Sequence, residues 1–166
     1  MKKSLRHWVK EIIIYVVIGM AIVAGVDLYR SQDMPKTIPA DFTVQTLDGQ
    51  SINIVEASYE APVVVYFWAT WCGACKFVSP SVSWLDQYYQ VVAVSSASGS
   101  DQRVAQFMEA KDYQFNNTND PNNVLMREWG VKVTPTIFII NKGQVENITT
   151  GISTPFGIAI RVWLSK

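Results

Sequence analysis

Two cysteines and one histidine are all the thiol and imidazole chemistry in this chain of 166 residues. A structural zinc site needs four ligands, mostly soft, so one copy of the chain cannot build a zinc finger. Two cysteines cannot build a multi-disulfide scaffold either. Charge of one sign is lacking as well, with 14 basic against 14 acidic residues. A nucleic-acid binder normally carries a basic surplus, so that class is set aside. Internal repeats and low-complexity segments are absent. What remains is a globular domain of ordinary size, an appendage to it, and one possible cysteine pair.

The balanced charge hides a division. Residues 1–36 hold Lys2, Lys3, Arg6, Lys10, Arg30 and Lys36 against Glu11, Asp27 and Asp33, whereas the remainder is mildly acidic. A basic, apolar leader is therefore joined to an acidic body, an asymmetry that points to a membrane. Ile12 to Val26 is an uncharged run of 15 residues. Alone it would span about 22 Å, but Trp8, Val9, Leu28 and Tyr29 extend it towards the ~30 Å hydrocarbon core. Trp8 and Tyr29 suit the two interfaces, with Lys10 and Arg30 reaching outwards. Four basic residues precede the run, so the positive-inside rule keeps the N-terminus in the cytoplasm and exports the body. The alternative is a cleaved signal peptide ending near Val23-Ala24-Gly25. Either way the body meets an oxidising compartment. The expected division is a leader and anchor over 1–30, a tether over 31–39 and a domain over 40–166.

The body alternates strand and helix signals. Phe42–Leu47 and Ser51–Ile54 flank Asp48-Gly49, a hairpin pattern. Pro62–Trp68 and Val91–Val94 are continuous apolar runs, as for strands buried on both faces. Between them, helical spacing from about Ala74 to Tyr89 makes Phe77, Val78, Val82 and Leu85 the inward candidates. Trp68 and Trp84 are assigned to the core. Asp101 is the expected cap of a helix running to Lys111, and a shorter helix over 121–129 closes at Gly130. Thr136–Ile140 and Val145–Thr150 flank the turn Asn141-Lys-Gly143, and Phe156–Leu164 is amphipathic. This order predicts an α/β fold with a central mixed sheet flanked by helices.

The chemistry lies at one joint, Trp68-Ala-Thr-Trp-Cys72-Gly-Ala-Cys75-Lys76. Cys72 falls where a helix begins after a buried strand. Unpaired N–H groups and the partial positive charge of that terminus favour thiolate over thiol. Two intervening residues, Gly73 and Ala74, place Cys75 one turn on, close enough to form a disulfide. Thiol–disulfide exchange follows, with Cys72 attacking and the more buried Cys75 resolving the mixed disulfide. A structural disulfide or a thiolate metal site has the same spacing, but no second cysteine pair exists and His7 lies in the leader. Trp71, beside Cys72, reads as a surface platform that shields the sulfur and receives substrate. Lys76 is either a thiolate stabiliser or simply solvated.

Phe67–Lys76 resembles the active-site segment of thioredoxins, and Val133-Thr134-Pro135-Thr136 resembles their second signature, in which the proline is cis. The resemblance runs from about Ala40 to the C-terminus. It implies a thioredoxin-like fold, a protein-disulfide oxidoreductase activity, no bound cofactor and no metal. It also implies that Thr134 and Pro135 face the cysteine pair and offer backbone to an extended substrate segment. With the anchor and the early hairpin, the chain resembles the membrane-anchored bacterial proteins of the suppressor-of-copper-sensitivity D type, within the TlpA-like group. That likeness implies a periplasm-facing, single-pass inner-membrane protein. Its partners would be protein thiols or disulfides and a membrane electron donor or acceptor. Two alternatives stay open, a Cu(I)-binding copper-tolerance module and a reductant for cytochrome c maturation. The chain also departs from its relatives: Tyr66 and Val78 stand where they carry carboxylates, and the dipeptide is Gly-Ala where thioredoxins have Gly-Pro.

Overall fold

The computed structural model describes residues 5–32, 34–39 and 41–165. Lys2, Lys3, Asp33 and Ala40, which figure in the leader charge and the expected domain boundaries, lie outside the described residues. The chain divides into two units, residues 1–32 and 33–166.

The first unit is helix α1, Leu5–Ser31. Its stretch His7–Arg30 is long and apolar enough to cross a membrane, and its apolar side chains are exposed. At 1.5 Å per residue those 24 residues measure about 36 Å, more than the hydrocarbon core requires.

In the second unit, strands β1 (Thr43–Gln45) and β2 (Ser51–Asn53) form the expected hairpin, with Gly49 supplying a positive φ in the turn. Helix α2 (Ile54–Glu60) follows at once, capped by Asn53, whose side chain accepts the Glu56 N–H at 3.0 Å. Strand β3 (Val63–Trp68) is the sheet centre and is buried throughout. Then come α3 (Cys75–Leu85), β4 (Val91–Ser96), α4 (Asp101–Ala110), β5 (Asn116–Asp120), α5 (Val124–Glu128), β6 (Thr136–Asn141), β7 (Gln144–Thr150) and α6 (Pro155–Leu164). The five-stranded sheet runs β5-β4-β3-β6-β7. Its β3–β4 and β4–β5 pairs are parallel, and its β3–β6 and β6–β7 pairs antiparallel. This is the mixed sheet that the sequence predicts.

Side chains alternate across β3, so each face of the sheet has its own core. Val64, Tyr66 and Trp68 meet α3, α4 and α6, whereas Val63, Val65 and Phe67 meet Ile54, Trp129, Phe138 and Ile140. Met34 is buried in the second of these cores, and Thr37 bridges Gln144 of β7. The stretch expected to be a tether thus lies against the body from Met34 onwards.

Several expectations need correction. Phe77 is 71% exposed, because α3 buries Cys75, Val78, Ser79, Val82 and Leu85 and Phe77 falls off that stripe. Trp84 falls off it too and packs on Tyr88 at the surface. The helix ends at Leu85, short of the expected Tyr89, and a turn follows. The cap of α4 is Ser100, whose side chain accepts the Arg103 N–H; Asp101 instead accepts from Asn119. Residues 121–123 stand outside α5, where Asn123 adopts a left-handed conformation. Strand β5 was not expected, since Asn-Asn-Thr-Asn-Asp carries no apolar signal.

Candidate active site

Strand β3 delivers the chain to Trp68, whose indole N–H donates to Asn117 Oδ1 at 2.8 Å inside the core. A loop then turns through Ala69–Ala74, closed by Cys72 N–H to Ala69 O at 3.1 Å and Lys76 N–H to Gly73 O at 3.3 Å. Thr70 N–H donates to Ser98 Oγ at 3.0 Å, which ties the loop to the end of β4. Gly73 and Lys76 face solvent, and Ala74 is half-buried.

Cys72 and Cys75 are joined as a disulfide with Cα atoms 5.3 Å apart. The backbone N–H of Cys75, the first residue of α3, donates to Cys72 Sγ at 3.1 Å. That donor is one of the helix's unpaired N-terminal amides, and it would stabilise negative charge on the Cys72 sulfur after reduction. Both cysteines are buried, Cys75 slightly more than Cys72.

The residues assigned to substrate surround this pair on one side. Cys72 Sγ lies 3.6 Å from the Thr134 carbonyl oxygen, close enough for a reduced thiol to donate there. The Thr134–Pro135 peptide is cis, and Pro135 O accepts the Gly151 N–H at 2.8 Å. Trp71 is 66% exposed, and its indole N–H donates to Ala97 O at 3.1 Å. Every expected site residue therefore lies in this loop, in the first turn of α3 or in the loop before β6.

Three supports escape sequence reading. Ala97 and Ser98, which hold Trp71 and Thr70, sit in a loop with no motif, and Ala97 takes a positive φ of 45°. Gly151 reaches Pro135 from the far end of β7. Beneath the pair, Tyr66 hydrogen-bonds Ser79 through their hydroxyls at 2.8 Å. Tyr66 is protonated at neutral pH as any phenol is, and burial pushes its pKa further above the usual range.

The AhpC/TSA family matches residues 35–148 of this chain. A thioredoxin-like protein of Haemophilus influenzae is 31% identical over 166 residues, covering 99% of this chain and 96% of that one. The thiol-disulfide oxidoreductase ResA of Oceanobacillus iheyensis is 26% identical, covering 92% and 85%. Among solved structures, StoA of Bacillus subtilis superposes with a TM-score of 0.64 at 25% identity, covering 77% of this chain and 98% of that one. With a thioredoxin-like sheet, a bridged Cys72–Cys75 pair at a helix start and these relatives, the chain belongs to the AhpC/TSA family and is a thioredoxin-like protein-disulfide oxidoreductase.

Proposed function

We propose that this protein is a single-pass, uncleaved inner-membrane oxidoreductase whose body works in the periplasm, within the suppressor-of-copper-sensitivity D type. Residues 1–30 are the leader and anchor, and the sequence from 40 onwards carries the catalytic domain. Cys72 attacks a substrate disulfide and Cys75 resolves the mixed disulfide; in the opposite direction a substrate thiol attacks Cys72, Cys75 leaves as thiolate, and the substrate's second thiol displaces Cys72. Trp71, Thr134 and Pro135 seat the substrate segment. A membrane partner supplies or removes the electron pair. The observation that carries the assignment of roles is the Cys75 N–H aimed at Cys72 Sγ at 3.1 Å, since only the outer sulfur receives that donor.

Trapping tests the roles. Cys75→Ser should accumulate partner proteins as mixed disulfides through Cys72, and Cys72→Ser should accumulate few. In the reduced protein, iodoacetamide should modify Cys72 well before Cys75. Equal trapping by both variants would remove the assignment. The Cu(I) reading uses the same two soft ligands; among the described residues no group of three or more His, Cys, Asp or Glu assembles to extend them. Equal thiol reactivity with stoichiometric Cu(I) binding would favour it. The haem-assembly role is the weaker branch, because Gly130 leads to Val-Lys-Val-Thr-Pro without the Pro-Glu-Thr sequence of those relatives. For topology, alkaline phosphatase fused after Lys166 should be active, and an inactive fusion would reverse the orientation.

A further inference from the structure

Helices α3 and α6 pack side by side over the sheet face that carries Tyr66 and Trp68. Both start at the cysteine end. Cys75 opens α3 there. Strand β7 is antiparallel to β6, and β6 is antiparallel to β3, so β7 also ends there. Gly151, just beyond it, donates to Pro135 O. Helix α6 then runs back to the opposite end, where Asn141 donates to the Ser165 carbonyl. The two helices thus run in the same direction, away from the cysteine pair.

Each helix carries two apolar stripes where one suffices for the core. Val78, Val82 and Leu85 of α3 and Ile158 and Val162 of α6 are buried together. Phe77 and Trp84 form a second stripe on α3, and Phe156, Ile160, Trp163 and Leu164 form one on α6, at the spacing of a single helix face. On α3, Ser83 accepts the Gln114 N–H, so that flank faces the α4–β5 connection. Phe77 and Trp84 fall on the other side of the outward direction, towards α6. The six side chains are between 41% and 77% exposed. Among the described residues of the body, Tyr59 and Val124 are the exposed large apolar side chains that lie away from α3, α6 and the segments leading into or out of them. Large apolar side chains present about 150–250 Å² each, so these six leave on the order of 700 Å² in water. The largest patch on a typical monomer is about 300–600 Å², whereas a stable interface takes about 800 Å² per partner.

Charge leaves this patch whole. Residues 75–85 and 155–164 hold Lys76 and Arg161 and no acid. Lys76 falls on the Ser83 flank of α3, and Arg161 is half-buried with its guanidinium donating to Gly157 O at 3.1 Å. Asp86 follows α3 and is half-buried as well. No charge within the two stripes would therefore oppose itself across a two-fold axis. A substrate or redox partner does not account for the patch, because it meets Cys72, exchanges and leaves. The stripe on α6 also runs on for about 12 Å from the cysteine end. Cover over so much carbon has to stay, and permanent interfaces are the aromatic-rich, charge-poor ones. The polypeptide always present beside this chain is another copy of it. We propose that the chain forms a two-fold dimer in which the α3–α6 face packs on the same face of a second copy. Cys72 lies beyond the start of α3, at the rim of this face, and stays open to substrate.

The test uses the full chain with Cys72→Ser and Cys75→Ser, so that no disulfide joins two copies, reconstituted in phosphatidylcholine vesicles. Should the chain stay out of the vesicles, the anchor in the proposed function fails, and the same measurement is made in solution. Gln102→Cys, exposed on α4, carries a donor dye on half of the chains and an acceptor on the rest. Energy transfer should survive an about tenfold dilution, as it does for a stable pair and not for random encounter. Ile160→Glu with Trp163→Glu should abolish the transfer, and Val124→Glu, at an exposed apolar site elsewhere, should leave it. Thermal unfolding checks that the variants fold, and Ile160→Lys replaces the double variant if that one does not. Hydroxyl-radical labelling of Phe156 in the Ile160 variant should rise several-fold over the unaltered face. Transfer that falls in proportion to dilution when the face is unaltered would overturn the dimer. Transfer that persists in the folded Ile160 variant would put the pairing elsewhere and remove it from α3 and α6. Protection of Phe156 without transfer would give the face another occupant and overturn the pairing as well.

Discussion

On one face of the five-stranded sheet, Phe67 and Phe138 meet Trp129 at ring separations of 5.5 and 4.9 Å, surrounded by valine and isoleucine. On the other, the same strand turns Tyr66 and Trp68 towards the cysteine pair, and both rings carry a polar atom with a named partner. The first face is held by apolar burial alone at its centre. The second buries more apolar side chains but threads hydroxyls and an amide through them. Trp68 Nε1 donates to Asn117, and Asn117 Nδ2 donates to Ser95. The contrast teaches where specificity resides: carbon fills either face, whereas paired polar atoms fix one arrangement under the site.

The largest test of that contrast removes a ring from the apolar face. Phe138 is fully buried, so Phe138→Ala should cost about 3–5 kcal/mol in denaturant unfolding. Thiol–disulfide exchange per folded molecule should be unchanged, because the cysteine pair lies on the opposite face. A loss below about 1 kcal/mol would mean that this face collapses around the gap and is not the rigid half. A smaller cost is expected from Asn117→Ala on the polar face. It leaves the buried indole N–H of Trp68 without an acceptor, which should cost about 1–3 kcal/mol. An unfolding curve unmoved by this change would show that the network does not hold the face together.

The two faces also differ in how far sequence alone discloses them. Strand β3 is an apolar run whose burial needs no partner to be inferred, and the β6–β7 hairpin announces itself through Asn141-Lys-Gly143. Cys72–Cys75 is legible because its spacing carries its chemistry, and Thr134-Pro135 because it resembles a thioredoxin signature. Strand β5 is not legible, because Asn117 is buried only by virtue of Trp68 and Ser95, residues 49 and 22 positions away. Asp120 is likewise buried only because it accepts the N–H groups of Val124 and Met126. Helix α2 is too short to show a period. Phe77 and Trp84 mislead because aromatic identity suggests a core, whereas the phase of α3 is set by Cys75, Val78 and Val82.

The smallest effect concerns a proton. Attack by Cys72 needs only its own thiolate, which the Cys75 N–H favours. Resolution needs the Cys75 thiolate, and Cys75 packs in the same cluster as Tyr66 and Val78. Val78 offers no base. Tyr66, a phenol whose pKa burial raises further, is protonated at neutral pH and already engaged with Ser79, so it does not accept the proton either. The proton of Cys75 must therefore pass to water or to the partner, and resolution should be slow at pH 7 and quicken as pH rises towards ~8.5. The mixed disulfide should accumulate measurably even without mutation. Val78→Glu should shorten its life about tenfold, less than the 10²–10⁴ of an evolved base, because nothing around position 78 is arranged to hold the charge. Val78→Gln should leave that life unchanged. Since an unpaired carboxylate is expensive among apolar side chains, both variants need an unfolding curve beside the stopped-flow trace. Fast, pH-independent resolution in the unmutated protein would show that another group takes the proton, and that the polar face does more than hold its shape.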